Sequence, residues 1–95
     1  MSQERRKTHL TISVAAQHTG LSHHIVRRCV RLGLVSEELT ETELAELRRI
    51  RRLVDLGVNL AGVQVILGMR RQVEELRAER ARLAALVASS RRAER

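Results

Sequence analysis

Apolar residues recur along this chain at the three- and four-residue spacing of amphipathic helices, and glycines separate the segments. In the first segment, Ile12, Ala15 and Ala16 fall on one face. We expect this helix to begin at Ser13, because serine is a good N-cap residue, and to end at Gly20.

A second predicted helix, HHIVRRCVRL, follows the turn Gly20-Leu21-Ser22. Ser22 is its expected N-cap, and Gly33 stands where a left-handed C-cap residue belongs. Two short helices joined by a glycine-containing turn outline a helix-turn-helix. The inward-facing side of the second helix is predicted to consist of Ile25, Val26, Cys29, Val30 and Leu32.

The strongest helix start lies in the segment TETELAELRRIRRLVDLG. Thr40 and Glu43 have the spacing of a capping box, and Leu39 and Leu44 have that of a hydrophobic staple. Gly57 is expected to end this third helix. Its inward stripe is predicted to be Leu44, Leu47, Ile50 and Val54.

Asn59 is the expected N-cap of a further helix, LAGVQVIL, and Gly68 is a position where that helix could kink or stop. From there on the apolar spacing fits a heptad seam with one arginine in a core position. A helix over residues 69–89 is about 31 Å long at ~1.5 Å per residue, so its stripe is predicted to meet a second chain. The predicted dimerisation residues are Met69, Val73, Leu76, Arg80, Leu83 and Val87.

Composition favours an all-α fold with a small aliphatic core. Hydrophobic residues make up 43% of the 95 positions, with no Phe, Tyr, Trp or Pro. The formal net charge is +7, and residues 1–36 hold six Lys or Arg against one acid. That balance predicts an anionic partner in the N-terminal third. Because single-strand binders stack bases on aromatic rings, duplex DNA is the expected ligand.

Several functional classes find no support in the sequence. Cys29 is the one cysteine, which fits a reducing compartment, and neither a signal peptide nor a membrane-length apolar run is present. We therefore expect a cytoplasmic, nucleoid-associated protein. No glycine-rich phosphate loop, serine nucleophile elbow or metal-ligand spacing occurs, so we expect no enzymatic activity, no metal and no cofactor. His18, His23 and His24 are interpreted as surface histidines.

The second helix carries the candidate DNA-reading residues. Arginine pairs with guanine O6 and N7 or clamps phosphates, and recognition helices read bases with their N-terminal residues. Protonated histidines would raise DNA affinity below about pH 6.5. Arg48 and Arg49, or Arg51 and Arg52, are further candidates for backbone contacts. The predicted DNA-binding residues are Ser22, His23, His24, Arg27, Arg28, Arg31, Arg48 and Arg49.

The segment TISVAAQHTGLSHHIVRRCVRLGLVS resembles the N-terminal helix-turn-helix of MerR-type regulators, and ELRRIRRLVDLGVNLAGVQVIL resembles their second helical pair. The string GVNLAG is similar to the HspR-like and CbpM-like branches, and QVEELRAERARL to their dimerisation helix. The polar residues at the two ends predict a basic flexible arm (1–9) and a frayed tail (90–95). Between them the resemblance implies a DNA-binding domain (10–68) and an antiparallel dimerisation helix (69–89).

Two departures from the family pattern affect the site. Recognition helices of the family usually read Arg-Tyr-Tyr-Glu/Asp, whereas this chain has Arg27, Arg28, Cys29 and Val30. A β-hairpin wing normally follows, but only SEEL separates Val35 from Thr40, which is too short for a hairpin. We expect a truncated wing, with Arg28 compensating for its lost phosphate contacts.

Three functions remain open on these grounds. The first is a homodimeric, sequence-specific duplex-DNA-binding regulator that represses stress or chaperone genes by bending or twisting the DNA between two half-sites. The second is a CbpM-like modulator that binds the J-domain of a DnaJ-type co-chaperone. The lost wing favours this second function, whereas the positive N-terminal third opposes it, because J-domains present a basic helix. The third is an excisionase-like architectural protein.

Overall fold

A computed structural model describes residues 10–94 of the chain, and within them the fold is all-α. The predicted basic arm, residues 1–9, lies outside the described residues. No described helix combines the length and apolarity that a membrane crossing requires. The helices are α1 (Ile12–Thr19), α2 (His23–Arg31), α3 (Glu41–Asp55) and α4 (Leu60–Ala93). This architecture confirms the predicted all-α fold.

The start of α1 differs from the prediction, because Thr11 is the N-cap in place of Ser13. The Thr11 hydroxyl oxygen accepts a hydrogen bond of 3.2 Å from the backbone N–H of Val14. Ser13 lies within the first turn, and its hydroxyl is directed at the side chain of His23. At the other end Gly20 has φ of 80°, so the predicted stop is correct.

Both predicted ends of α2 are confirmed. The Ser22 hydroxyl accepts from the N–H of Ile25 at 3.1 Å. Gly33 follows the C-cap with φ of 76°, a conformation that a side chain would strain. The N–H of Leu34 then reaches back to the carbonyl of Cys29 at 2.9 Å, which completes a Schellman motif.

The connection from α2 to α3 contains no pair of strands in the described chain. Instead it returns to the segment before α1, where the N–H of Leu10 donates to the carbonyl of Leu39 at 2.7 Å. This single bridge stands where the sequence predicts a truncated wing. The helix-turn-helix is therefore followed directly by α3.

Thr40 precedes α3 as predicted, but the capping box is not formed. The Thr40 hydroxyl donates to Glu43 Oε1 at 2.8 Å, and it makes no hydrogen bond to a backbone N–H. The hydroxyl is oriented towards the Glu43 carboxylate, a charge-assisted acceptor, and its oxygen accepts from no N–H of the first turn. Leu39 and Leu44, the predicted staple pair, are both buried.

The core is aliphatic, as the composition requires. Contacts divide the chain into two compact units, one extending through Gln64 and the other beginning at Val65. In the first unit, Thr19 is a buried polar residue, and its hydroxyl donates to the carbonyl of Ala15 at 2.7 Å. Its buried apolar residues are Ala15, Leu21, Val26, Cys29, Val35, Leu39, Leu44, Leu47, Ile50, Leu60 and Val63.

The helix α4 is longer than the pattern predicts. Asn59 caps it as expected, accepting from the N–H of Gly62 at 2.8 Å. Gly68 lies inside the helix and does not interrupt it. Leu67 is the last buried residue of α4, and every residue from Met69 to Glu94 is exposed. The division of function at residues 68 and 69 stays a prediction.

Candidate nucleic-acid interface

The six candidate DNA-reading residues of α2 lie together on the surface. Val26 and Cys29 are fully buried, and the helical repeat places the cationic side chains on the opposite side. The side chain of each candidate is exposed. These six residues, which we call the α2 basic face, are Ser22, His23, His24, Arg27, Arg28 and Arg31.

Positive charge on the α2 basic face is not offset locally. The sequence contains no Asp or Glu from residue 10 to residue 36. Within residues 10–94, none of Arg27, Arg28 and Arg31 forms an ion pair. Their guanidinium groups are therefore available to phosphate or to base edges.

His23 connects α1 to the α2 basic face through both of its ring nitrogens. Its Nε2 lies 2.8 Å from the Ser13 hydroxyl oxygen. Its Nδ1 lies 2.8 Å from a terminal nitrogen of Arg27. Sequence reasoning missed Ser13 as a site residue because serine near a helix start reads first as a cap.

The arginines of α3 fall into two groups. Arg49 donates to Glu46 at 2.8 Å, and its side chain is 30% exposed. Arg51 holds Asp55 through its Nε and also donates to the backbone carbonyl of Thr19 at 3.1 Å. Arg48 and Arg52 are exposed and form no ion pair within the described residues. Of the predicted pair Arg48 and Arg49, only Arg48 has an uncommitted charge.

Cys29 has the properties of a core residue. Its side chain is fully buried. Burial raises the pKa of the thiol from 9.0 to about 11, although the nearby charge of Arg28 acts in the opposite direction. Among residues 10–94, no group of three or more His, Cys, Asp or Glu side chains is close enough to hold a metal ion.

The predicted dimerisation stripe is exposed along α4. Its apolar members range from 44% exposure at Val73 to 65% at Leu76. Leu76, Leu83 and Val87 line an open apolar depression together with Arg80. Leu86, which sequence reasoning missed, is also 60% exposed beside this stripe. The signal that could have found it is the apolar run from Leu83 to Val87.

Comparison with known proteins gives this arrangement a family. Residues 10–69 match the family described as MerR HTH family regulatory protein. The chain is also 42% identical over 83 residues to "Putative heat shock protein HspR" of Streptomyces coelicolor. That match covers 78% of this chain and 55% of the relative, so the chain spans about half of that protein's length. No solved structure matches. The chain belongs to the MerR family of helix-turn-helix regulatory proteins, near its HspR branch.

Proposed function

We propose that the protein is a homodimeric transcriptional regulator that binds double-stranded DNA and places α2 of each subunit in the major groove. The observation that carries the proposal is the α2 basic face: three arginines and two histidines are exposed on the second helix of a helix-turn-helix, with no acidic residue from position 10 to 36. A surface of this kind attracts the phosphate backbone, and its arginines can read guanine.

Position along α2 assigns roles within the face. Recognition helices contact bases with their N-terminal half, which here presents His23, His24 and Arg27. Arg28 can reach either a base or a phosphate. Ser22 uses its hydroxyl oxygen to cap the helix but keeps its hydroxyl proton for a phosphate oxygen. Arg31, at the C-terminal end of α2, is assigned to the backbone.

Backbone contacts that a wing would supply are assigned to α3. Arg48 is exposed and unpaired within the described residues, and so is Arg52. Arg49 contributes less, because the carboxylate of Glu46 already offsets its charge. Arg51 has a structural role and is not assigned to DNA.

A second copy of the chain is the proposed occupant of the α4 stripe. Met69, Val73, Leu76, Arg80, Leu83 and Val87 follow alternating steps of four and three residues, which is the spacing of a coiled-coil seam. A two-fold dimer of this kind would present one α2 helix to each of two half-sites. The name of the relative, a putative heat shock protein, favours a role in the heat-shock response.

Fluorescence anisotropy tests the DNA-binding proposal directly. A labelled random-sequence duplex of about 30 base pairs is titrated with the full chain over a range of salt concentrations. We expect the logarithm of the association constant to fall linearly with the logarithm of the salt concentration, with a slope of about −0.9 per neutralised phosphate. The corresponding single strand, for which the chain has no aromatic stacking residue, should bind more weakly. Absence of duplex binding at about 50 mM salt would contradict the proposal.

The short connection before α3 keeps a second candidate function in view. It contains no wing hairpin, and α3 opens with exposed Glu41 and half-buried Glu43. An acidic helix start suits the basic helix of a J-domain from a DnaJ-type co-chaperone. Titration of the chain with a purified J-domain distinguishes the two candidate functions. If J-domain binding persists when Glu41 and Glu43 are both changed to Gln, the J-domain does not use this surface.

A further inference from the structure

We propose that Ser13, His23 and Arg27 form a hydrogen-bonded relay that positions Arg27 for base recognition only while His23 is neutral. The inference rests on the proposed DNA-binding function and adds a condition to it. The relay joins the first turn of α1 to the α2 basic face through two contacts of 2.8 Å.

Donor and acceptor chemistry fixes the state of the imidazole. Arginine only donates, so Nδ1 of His23 must accept from the terminal nitrogen of Arg27. A neutral imidazole with an accepting Nδ1 carries its proton on Nε2. Nε2 therefore donates to the hydroxyl oxygen of Ser13, whose own proton is left free for an external acceptor such as a phosphate oxygen.

The contact restrains Arg27 without consuming it. Only one terminal nitrogen of the guanidinium is engaged by His23. The other N–H groups can still form the paired contact with guanine O6 and N7. A long side chain that is already held in place loses less conformational freedom on binding, so His23 acts as a positioning residue for Arg27.

Protonation of His23 would remove the restraint. Both ring nitrogens of an imidazolium donate, so Nδ1–H would face another donor and a like charge on Arg27. The packed helix α1 carries one titratable side chain, His18, in its last turn, and α2 adds His24, Arg28 and Arg31. No carboxylate from residue 10 to 36 is present to stabilise the cation. Arg27 would therefore turn away from His23.

Protonation of His23 would change DNA affinity and sequence specificity in opposite directions. An extra positive charge on the α2 basic face strengthens attraction to any phosphate backbone. Loss of a positioned Arg27 weakens discrimination between base sequences. Mild acid should thus increase binding to unrelated DNA while it reduces the preference for the cognate sequence.

The test compares two duplexes at two pH values. The first duplex is selected by the wild-type chain from a randomised pool at about pH 8, and the second is a shuffled version of it. We expect the ratio of their dissociation constants to fall about tenfold between pH 8 and pH 5.5, the size of one base contact. His23→Asn, which keeps an acceptor near Nδ1 but does not titrate, should hold the ratio nearly constant. His23→Ala should give a low ratio at both pH values.

His18→Ala is the matched control, because it removes an exposed histidine of α1 that lies outside the α2 basic face and makes no hydrogen bond within the described residues. It should retain the pH-dependent ratio of wild type. Circular dichroism establishes that each variant is folded. In the free wild-type chain, imidazole ¹⁵N shifts at about pH 8 should identify the Nε2–H tautomer of His23.

The outcomes distinguish failure of the relay from failure of the proposed DNA-binding function. If the wild-type chain selects no duplex, the proposed function fails and the relay with it. If it selects a duplex but its preference does not change with pH, the relay is wrong and the function stands. An Nδ1–H tautomer at His23 overturns the relay in the same way.

Discussion

The guanidinium of Arg51 donates a hydrogen bond of 3.1 Å to the backbone carbonyl of Thr19, which lies 32 positions earlier in the chain. The same side chain holds the carboxylate of Asp55 one turn further along α3. A carbonyl at the C-terminus of α1, which has no partner inside its own helix, is thereby satisfied by a cation. This contact ties α1 to α3 and removes Arg51 from the arginines available to DNA.

Replacing Arg51 should therefore lower stability more than it lowers DNA affinity. We expect Arg51→Ala to reduce the free energy of unfolding by about 1 kcal/mol, the usual value of one hydrogen bond. Arg52→Ala removes the same charge from an exposed neighbour and should change stability by less than about 0.5 kcal/mol. Urea denaturation measures both. Equal effects of the two substitutions would show that the Thr19 contact contributes nothing.

The guanidinium of Arg51 occupies the space beside Gly20, so a side chain at position 20 should lower stability for two reasons. A Cβ on Gly20 would overlap a terminal nitrogen of Arg51, and φ is +80°. Gly33 has φ of +76° with no atom within 4 Å of its Cβ position, so Gly33→Ala carries the backbone strain alone, about 1–2 kcal/mol. We expect Gly20→Ala to be the more destabilising. The excess should disappear when Arg51 is also changed to Ala, and urea denaturation of the double mutant checks this.

Sequence preference should depend on the pair Arg27 and Arg28. We expect Arg27→Ala plus Arg28→Ala to abolish the preference of the chain for a selected duplex over its shuffled version, with each lost base contact worth about 1–3 kcal/mol. Both side chains are exposed, so the thermal midpoint should change little. Arg91→Ala plus Arg92→Ala removes equal charge from the end of α4 and should leave the preference intact. A double mutant of α2 that keeps its preference would place base reading elsewhere.

The buried thiol of Cys29 should make stability depend on alkaline pH. Its pKa is raised from 9.0 to about 11 by burial in the folded state. The unfolded chain therefore releases this proton first, and the stabilising contribution is complete below about pH 9 and lost as pH rises towards about 11. The chain contains no tyrosine to titrate in that window. Urea midpoints should fall from pH 9 to pH 11 in wild type, and more shallowly in Cys29→Ala.

Local signals predicted most of the fold, and two of the features that they missed depend on long-range contacts. The caps at Ser22, Gly33 and Asn59 could be predicted because each depends on neighbours within a few residues. Ser13 was assigned wrongly because its actual partner, His23, is on another helix. Arg51 gave no signal for the same reason, since Thr19 is remote in sequence. A single glycine only weakens a helix, so the sequence alone does not decide whether α4 continues through Gly68, as it does in the structure.

The exposed α4 stripe should hold two copies of the chain together. If Leu76 and Leu83 pack against a second copy, Leu76→Asp plus Leu83→Asp should convert a dimer into a monomer of 10.8 kDa, because two charges would enter an apolar seam. Sedimentation equilibrium measures the mass. Ala78→Asp plus Ala85→Asp places the same charges two positions further along each heptad, away from the seam, and should leave the dimer intact.

Arg80 provides the opposite test of the same seam. It lies in a core position of the heptad, among the residues that line the apolar depression. A charge there must either reach solvent or pair with an acid such as Glu79 of the second copy, and both arrangements weaken packing. Arg80→Leu should therefore tighten the dimer and raise its thermal midpoint at equal protein concentration. A midpoint that is independent of concentration in wild type and variant alike would contradict assembly through this stripe.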